Sequence, residues 1–86
     1  MPSETKVQAN CKRVAALLQK ERERQNLSMT VLAERAGLSQ PSLSYIERGM
    51  RIPNLDTLFR IAEALDVDLG ALIQRATETA RGAGKA

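Results

Sequence analysis

The sequence predicts an all-α domain of five helices. Three observations carry that reading. Apolar residues recur at helical spacing in five segments, residues suited to helix caps stand between those segments, and no stretch alternates with enough Val, Ile and Thr to make a strand. At 86 residues the chain is long enough for one small domain and too short for two.

The elements follow in order. Residues 1–9 show little periodicity and are expected to form a flexible arm. The first helix is expected from about Asn10 to Gln25, where Val14, Leu17 and Leu18, with Cys11 a turn earlier, make an apolar stripe at helical spacing opposite a charged face. Asn26 and Leu27 end it. Ser28 is an N-cap for a short second helix, Met29 to Ala36, with Val31, Leu32 and Ala36 inward. Gly37 suits the left-handed position that closes such a helix. Ser39 caps a third helix, Gln40 to Arg48. Pro41 falls in its first turn, where a missing N–H does little harm, and Gly49 stops it. Asn54 caps a fourth helix, Leu55 to Leu65, with Leu55, Leu58, Phe59, Ala62 and Leu65 expected inside. Asp68 caps a fifth, Leu69 to about Thr79, with Leu72, Ile73 and Ala76 as its apolar face. The domain proper is thus residues 10–79, followed by a flexible tail, residues 80–86.

The inventory removes several classes of function. There is no histidine, so most general-base chemistry and most zinc sites lose their usual side chain. Cys11 stands alone, which rules out an internal disulfide or a paired-cysteine metal or redox site and suits a reducing cytosol. Nothing approaches the roughly 18–20 apolar residues that span a bilayer, and the first ten residues lack an apolar signal core. A cytoplasmic protein without a membrane role is expected. No nucleophile–base pair, metal cluster or phosphate-cradling loop is present, so neither an enzyme nor a cofactor is expected.

Charge points toward a polyanion. The net charge is +3, and residues 1–27 carry six basic against three acidic groups, whereas residues 54–86 carry four against five. The only large rings are Tyr45 and Phe59, so aliphatic side chains must fill a small core and dimerisation would help it.

The informative unit is residues 29–48. Two short helices joined by a tight turn can cross only if the residue at closest approach is small, and Ala33 is placed for that. Gly37 permits the turn, Leu38 plugs it from beneath, and Leu43 and Ile46 pin the second helix to the core. This is a helix-turn-helix arrangement, whose second helix fits the roughly 12 Å wide major groove of duplex DNA.

The run LSMTVLAERAGLSQPSLSYIERGMRIPNLDTLFRIAEALDVDLGALI, residues 27–73, resembles the Cro and lambda-repressor-like helix-turn-helix family, also called the xenobiotic-response-element type. The pattern LA…AGLS…LS.IERG…P.LDTL..IA.AL.V is densely matched, and Val14, Leu18 and Arg22 extend it into the first helix. The resemblance implies the five-helix packing of that family. By position it also implies base contacts from Gln40, Pro41, Ser44 and Tyr45, with Gln40 suited to a bidentate pair with adenine. It places Ser28, Ser42, Arg48 and Arg51 where phosphate contacts are made. Arg22 and Glu47 match a pair that braces the first helix against the recognition helix and neutralises a carboxylate near DNA. There are two departures. Pro41 can offer only apolar contact, and Met29 replaces a glutamine that would hold a phosphate and brace the recognition helix.

The function expected is a sequence-specific duplex-DNA-binding transcription regulator. One module reads few base pairs, so a homodimer on an inverted repeat is expected, with Leu69, Leu72, Ile73 and Ala76 at the dimer contact. The short chain leaves little room for an effector domain, so no small-molecule ligand is expected. A phage-type repressor, a restriction–modification controller protein and an antitoxin all fit. Activation would add RNA polymerase as a partner. The competing class is a protein-interaction co-regulator that keeps the fold without specific DNA binding, a reading fed by Met29 and Pro41.

Overall fold

A computed structural model describes residues 4–84, with side chains through residue 78. Five helices are present: α1 (Lys6–Arg24), α2 (Met29–Ala36), α3 (Gln40–Glu47), α4 (Leu55–Leu65) and α5 (Leu69–Gly84). Among the described residues there is no strand.

Both ends are more helical than expected. The helix α1 begins at Lys6, so residues 6–9 belong to it and not to an arm. The reason is a capping box. The Thr5 hydroxyl accepts from the Gln8 backbone N–H at 3.0 Å, and the Gln8 side chain accepts from the Thr5 N–H at 3.0 Å. Two otherwise orphaned donors are satisfied together, which fixes the helix start. The helix α5 runs past Thr79 to Gly84, because no proline or competing cap stops it earlier. Residues 1–3 and 85–86 of the expected arm and tail lie outside the described residues.

The caps between helices are local and specific. Ser28, Ser39 and Asn54 each have extended backbone angles and accept from the N–H three residues on, those of Val31, Ser42 and Thr57. Asp68 Oδ1 accepts from the Gly70 N–H at 2.9 Å at the start of α5. Gly37 has φ +71°, and its turn is a Schellman closure. The Leu38 N–H donates to the Ala33 carbonyl at 2.8 Å, and the Gly37 N–H donates to the Glu34 carbonyl at 3.2 Å. That bend drops Leu38 onto the core and sends α3 off across α2.

The core joins all five helices: Val14, Ala15 and Leu18 from α1, Leu32, Ala33 and Ala36 from α2, Leu43 and Ile46 from α3, Ile61, Ala62 and Leu65 from α4, and Leu69, Leu72 and Ala76 from α5. Packing is chiefly α2 on α4, α1 on α5 and α2 on α3. Small side chains at Ala33 and Ala36 let α2 lie close to its neighbours. Val31, expected inward, is half-buried at the rim.

Two expected placements are corrected. Leu55 and Phe59 are not inside α4 but 60% and 49% exposed. The sequence of α4 carries two overlapping helical stripes, and the fold turns Leu58, Ile61, Ala62 and Leu65 inward. Leu69, Leu72 and Ala76 are buried in the protomer core and have no free surface for a dimer contact. They face the interior where α5 packs on α1 and α4, and of the four expected interface residues only Ile73 is exposed, at 37%.

Candidate nucleic-acid interface

The outward face of α3 presents Gln40, Pro41, Ser44 and Tyr45 at i, i+1, i+4 and i+5. Gln40, Pro41 and Tyr45 are exposed and Ser44 is half-buried. Leu43 and Ile46 anchor the opposite face, so the outward set is fixed by burial behind it. Pro41 stands in the first turn and leaves no hydrogen bond unmade there.

Around this face the structure gathers polar groups in two clusters. In the first, Thr30 Oγ1 donates to Gln40 Oε1 at 3.1 Å, tying the first turn of α2 to the first turn of α3. Thr30 is a site residue the sequence reading missed. Its only signal there was a hydroxyl two residues after an N-cap, which is common. In the second cluster, Ser42 Oγ accepts from Arg51 Nη1 at 3.1 Å and from Ser39 Oγ at 2.9 Å. The guanidinium groups of Arg51 and Arg48 lie 5.6 and 6.0 Å from the centre of the Tyr45 ring, within cation–π reach. Arg48 and Arg51 are therefore gathered at the exit of α3 on one aromatic surface. Ser28 is exposed at the start of α2, its oxygen accepting from Val31 N–H at 3.1 Å as the cap.

Behind the face, Arg22 reaches Glu47 from α1. Its Nε and Nη2 donate to the two carboxylate oxygens at 2.7 and 2.9 Å, and its Nη1 donates to the Leu27 carbonyl at 2.8 Å. The side chains are 12% and 4% exposed. The hydrogen bonds to Glu47 hold the Arg22 pKa above its ordinary value, against the opposing effect of burial. The bidentate pair fixes the end of α3 and cancels a carboxylate beside a cationic face. A second tie fixes the same end of α1, where Gln25, its C-cap, donates from Nε2 to the Leu65 carbonyl at 2.8 Å.

The rest of the surface offers little chemistry. Among the described residues no group of three or more Cys, Asp or Glu is placed to hold a metal ion. No described helix is long and apolar enough to cross a membrane. Cys11 is half-buried on α1. An open depression of about 440 Å³ between α2 and α4 is lined by Glu34, Arg35, Arg60 and Glu63, charges of both signs.

Comparison with known proteins agrees with this arrangement. A helix-turn-helix family model matches residues 18–72. An uncharacterised HTH-type transcriptional regulator of Mycobacterium tuberculosis is 46% identical over 61 residues, 71% of this chain and 44% of that protein. The chain thus spans less than half the length of that relative. The ImmF control region 10 kDa protein of Bacillus phage phi105 is 38% identical over 61 residues, 71% of this chain and 68% of that one. Among solved structures, the restriction–modification controller protein C.AhdI from Aeromonas hydrophila is similar with a TM-score of 0.69 and 30% identity, covering 74% of this chain and 97% of that one. The clp gene regulator ClgR from Corynebacterium glutamicum shares the fold, with a TM-score of 0.78 at 22% identity, covering 98% of this chain and 86% of that one. The chain belongs to the helix-turn-helix family.

Proposed function

We propose that this regulator binds duplex DNA sequence-specifically as a homodimer on an inverted repeat, with α3 in the major groove. The observation that carries the reading is the outward face of α3: Gln40, Ser44 and Tyr45 project from a helix whose other face is locked into the core, and Arg48 and Arg51 flank its exit. Gln40, Pro41, Ser44 and Tyr45 contact base edges, Pro41 through an apolar touch on a thymine methyl. Ser28, Ser42, Arg48 and Arg51, with the backbone N–H groups that open α2 and α3, hold phosphates on either side. Such a regulator works where the DNA is, in the cytoplasm.

The dimer contact is built from Leu55, Phe59 and Ile73. These are large apolar side chains that the fold leaves in water, Leu55 and Phe59 one turn apart on α4 and Ile73 on α5. Burying them together would remove apolar surface at about 25 cal/mol per Å². A twofold axis there would make the interface self-complementary, and reading an inverted repeat requires it to set two copies of α3 about one DNA turn, or roughly 34 Å, apart.

Selection of bound duplexes from a random pool tests this reading. An inverted repeat with half-site centres separated by about 10 base pairs is the expected product. A folded protein that enriches no sequence would overturn specific recognition and favour the protein-interaction role.

A further inference from the structure

We propose that Thr30 is a specificity-determining positioning residue, which sets the orientation in which Gln40 presents its amide to a base. The inference rests on the DNA-reading role of α3 and goes beyond it, because Thr30 itself need touch no base.

A glutamine side chain can turn its amide over at little energetic expense, which exchanges a donor for an acceptor at the same place. An exposed glutamine on a reading helix is therefore ambiguous unless something holds it. Here the Thr30 hydroxyl donates to Gln40 Oε1 at 3.1 Å. Both residues sit in the first turn of their helices, α2 and α3. The partial positive charge of two helix starts favours a carbonyl oxygen turned toward them over an amide NH₂. The hydroxyl ties the amide in place and could accept as well as donate, while the field of the helix starts favours the oxygen on the Thr30 side, which leaves the Gln40 Nε2 donors facing away from Thr30.

Met29, its neighbour in this turn, has no side-chain donor to offer, and Thr30 is the hydroxyl that makes the link. The consequence concerns base identity. An outward NH₂ needs an acceptor on the base edge. Adenine N7, guanine N7 and O6, and thymine O4 provide one in the major groove, whereas cytosine offers only its N4 donor. The position read by Gln40 should therefore exclude cytosine, and that exclusion should depend on Thr30.

The test repeats the random-pool selection with four full-length proteins: the parent, Gln40→Ala, Thr30→Val and Thr30→Ser. Thr30 is exposed, and valine preserves its shape without the hydroxyl. In the parent, cytosine should be depleted at one position of each half-site. Gln40→Ala should flatten that position and so identify it. Thr30→Val should raise cytosine there by on the order of fivefold, the worth of one hydrogen bond, and leave the other positions unchanged. Thr30→Ser, which keeps the hydroxyl, should restore the parent profile. A Thr30→Val profile identical to the parent, or a change spread over all positions, would overturn the inference while leaving DNA reading by α3 intact. A parent that selects no sequence would overturn both.

Discussion

Arg22 and Glu47 form a bidentate pair with both distances below 3 Å, joining α1 to the last residue of α3. Glu47 is the more deeply buried partner, and Arg22 is also bonded to the Leu27 carbonyl. Removing the two partners is therefore not symmetric. Arg22→Ala strands a carboxylate with little access to water, whereas Glu47→Ala leaves a guanidinium that keeps one hydrogen bond. We expect Arg22→Ala to lower unfolding free energy by about 3–5 kcal/mol and Glu47→Ala by less. Urea denaturation of both variants and of the apolar pair Arg22→Met with Glu47→Leu checks this. The apolar pair should recover most of the loss.

The turn between α2 and α3 depends on a left-handed residue. Gly37 has φ +71°, a conformation that costs an alanine roughly 1–2 kcal/mol. A Cβ added there would meet Arg60 Nη1 at 3.2 Å, the far end of a flexible side chain that can move aside. The expected loss for Gly37→Ala is thus mainly conformational, about 1 kcal/mol, and reads as a lower midpoint in thermal or urea unfolding. Because the turn aims α3, DNA affinity should fall by more than the stability loss explains.

Two apolar positions should behave in opposite ways. Phe59→Asp places a charge on an exposed site of α4, so the fold should persist while the apparent mass in sedimentation falls from dimer to monomer. Leu69→Asp places one in the core, so the chain should unfold. Even the milder Leu69→Ala should cost about 2–5 kcal/mol. If Leu69→Asp remained folded and monomeric, the assignment of Leu69 to the protomer core would be wrong.

The cations at the exit of α3 should appear in the salt dependence of binding. Replacing Arg48 or Arg51 by Gln should reduce the slope of log affinity against log salt by about one each. The base preferences of the selected site should be little changed, since phosphate contacts position the protein without reading sequence. Fluorescence anisotropy on one duplex at several salt concentrations measures both slopes.

Much of this fold was legible because its signals are local. Ser28, Ser39 and Asn54 act as caps, Gly37 closes α2, and Leu43 and Ile46 are buried, each as the sequence suggests. The Thr5–Gln8 box was also legible as a Thr-x-x-Gln pattern, but the polar run around it reads equally as an arm. The orientation of α4 was not legible. Its apolar residues cover more than one stripe, and only the packed neighbours decide that Ile61 enters the core while Leu55 and Phe59 stay in water. The same limit applies to α5, where Leu69, Leu72 and Ala76 look like an interface until the packing of α5 on α1 and α4 shows them buried. In the site, individual residues on α3 could be named from spacing and resemblance. The links among them, Thr30 to Gln40 and Arg51 to Ser42, join different segments and needed coordinates.

Sequence reading by this protein rests on the outward face of α3. The most direct measurement is the ratio of affinities for the selected duplex and a scrambled duplex at one salt concentration, for the parent and for a Gln40→Ala, Ser44→Ala double variant. The ratio should collapse by on the order of 10- to 100-fold, while binding to the scrambled duplex and helical content stay as in the parent. A double variant that still discriminates as well as the parent would contradict this and place sequence recognition elsewhere on the molecule.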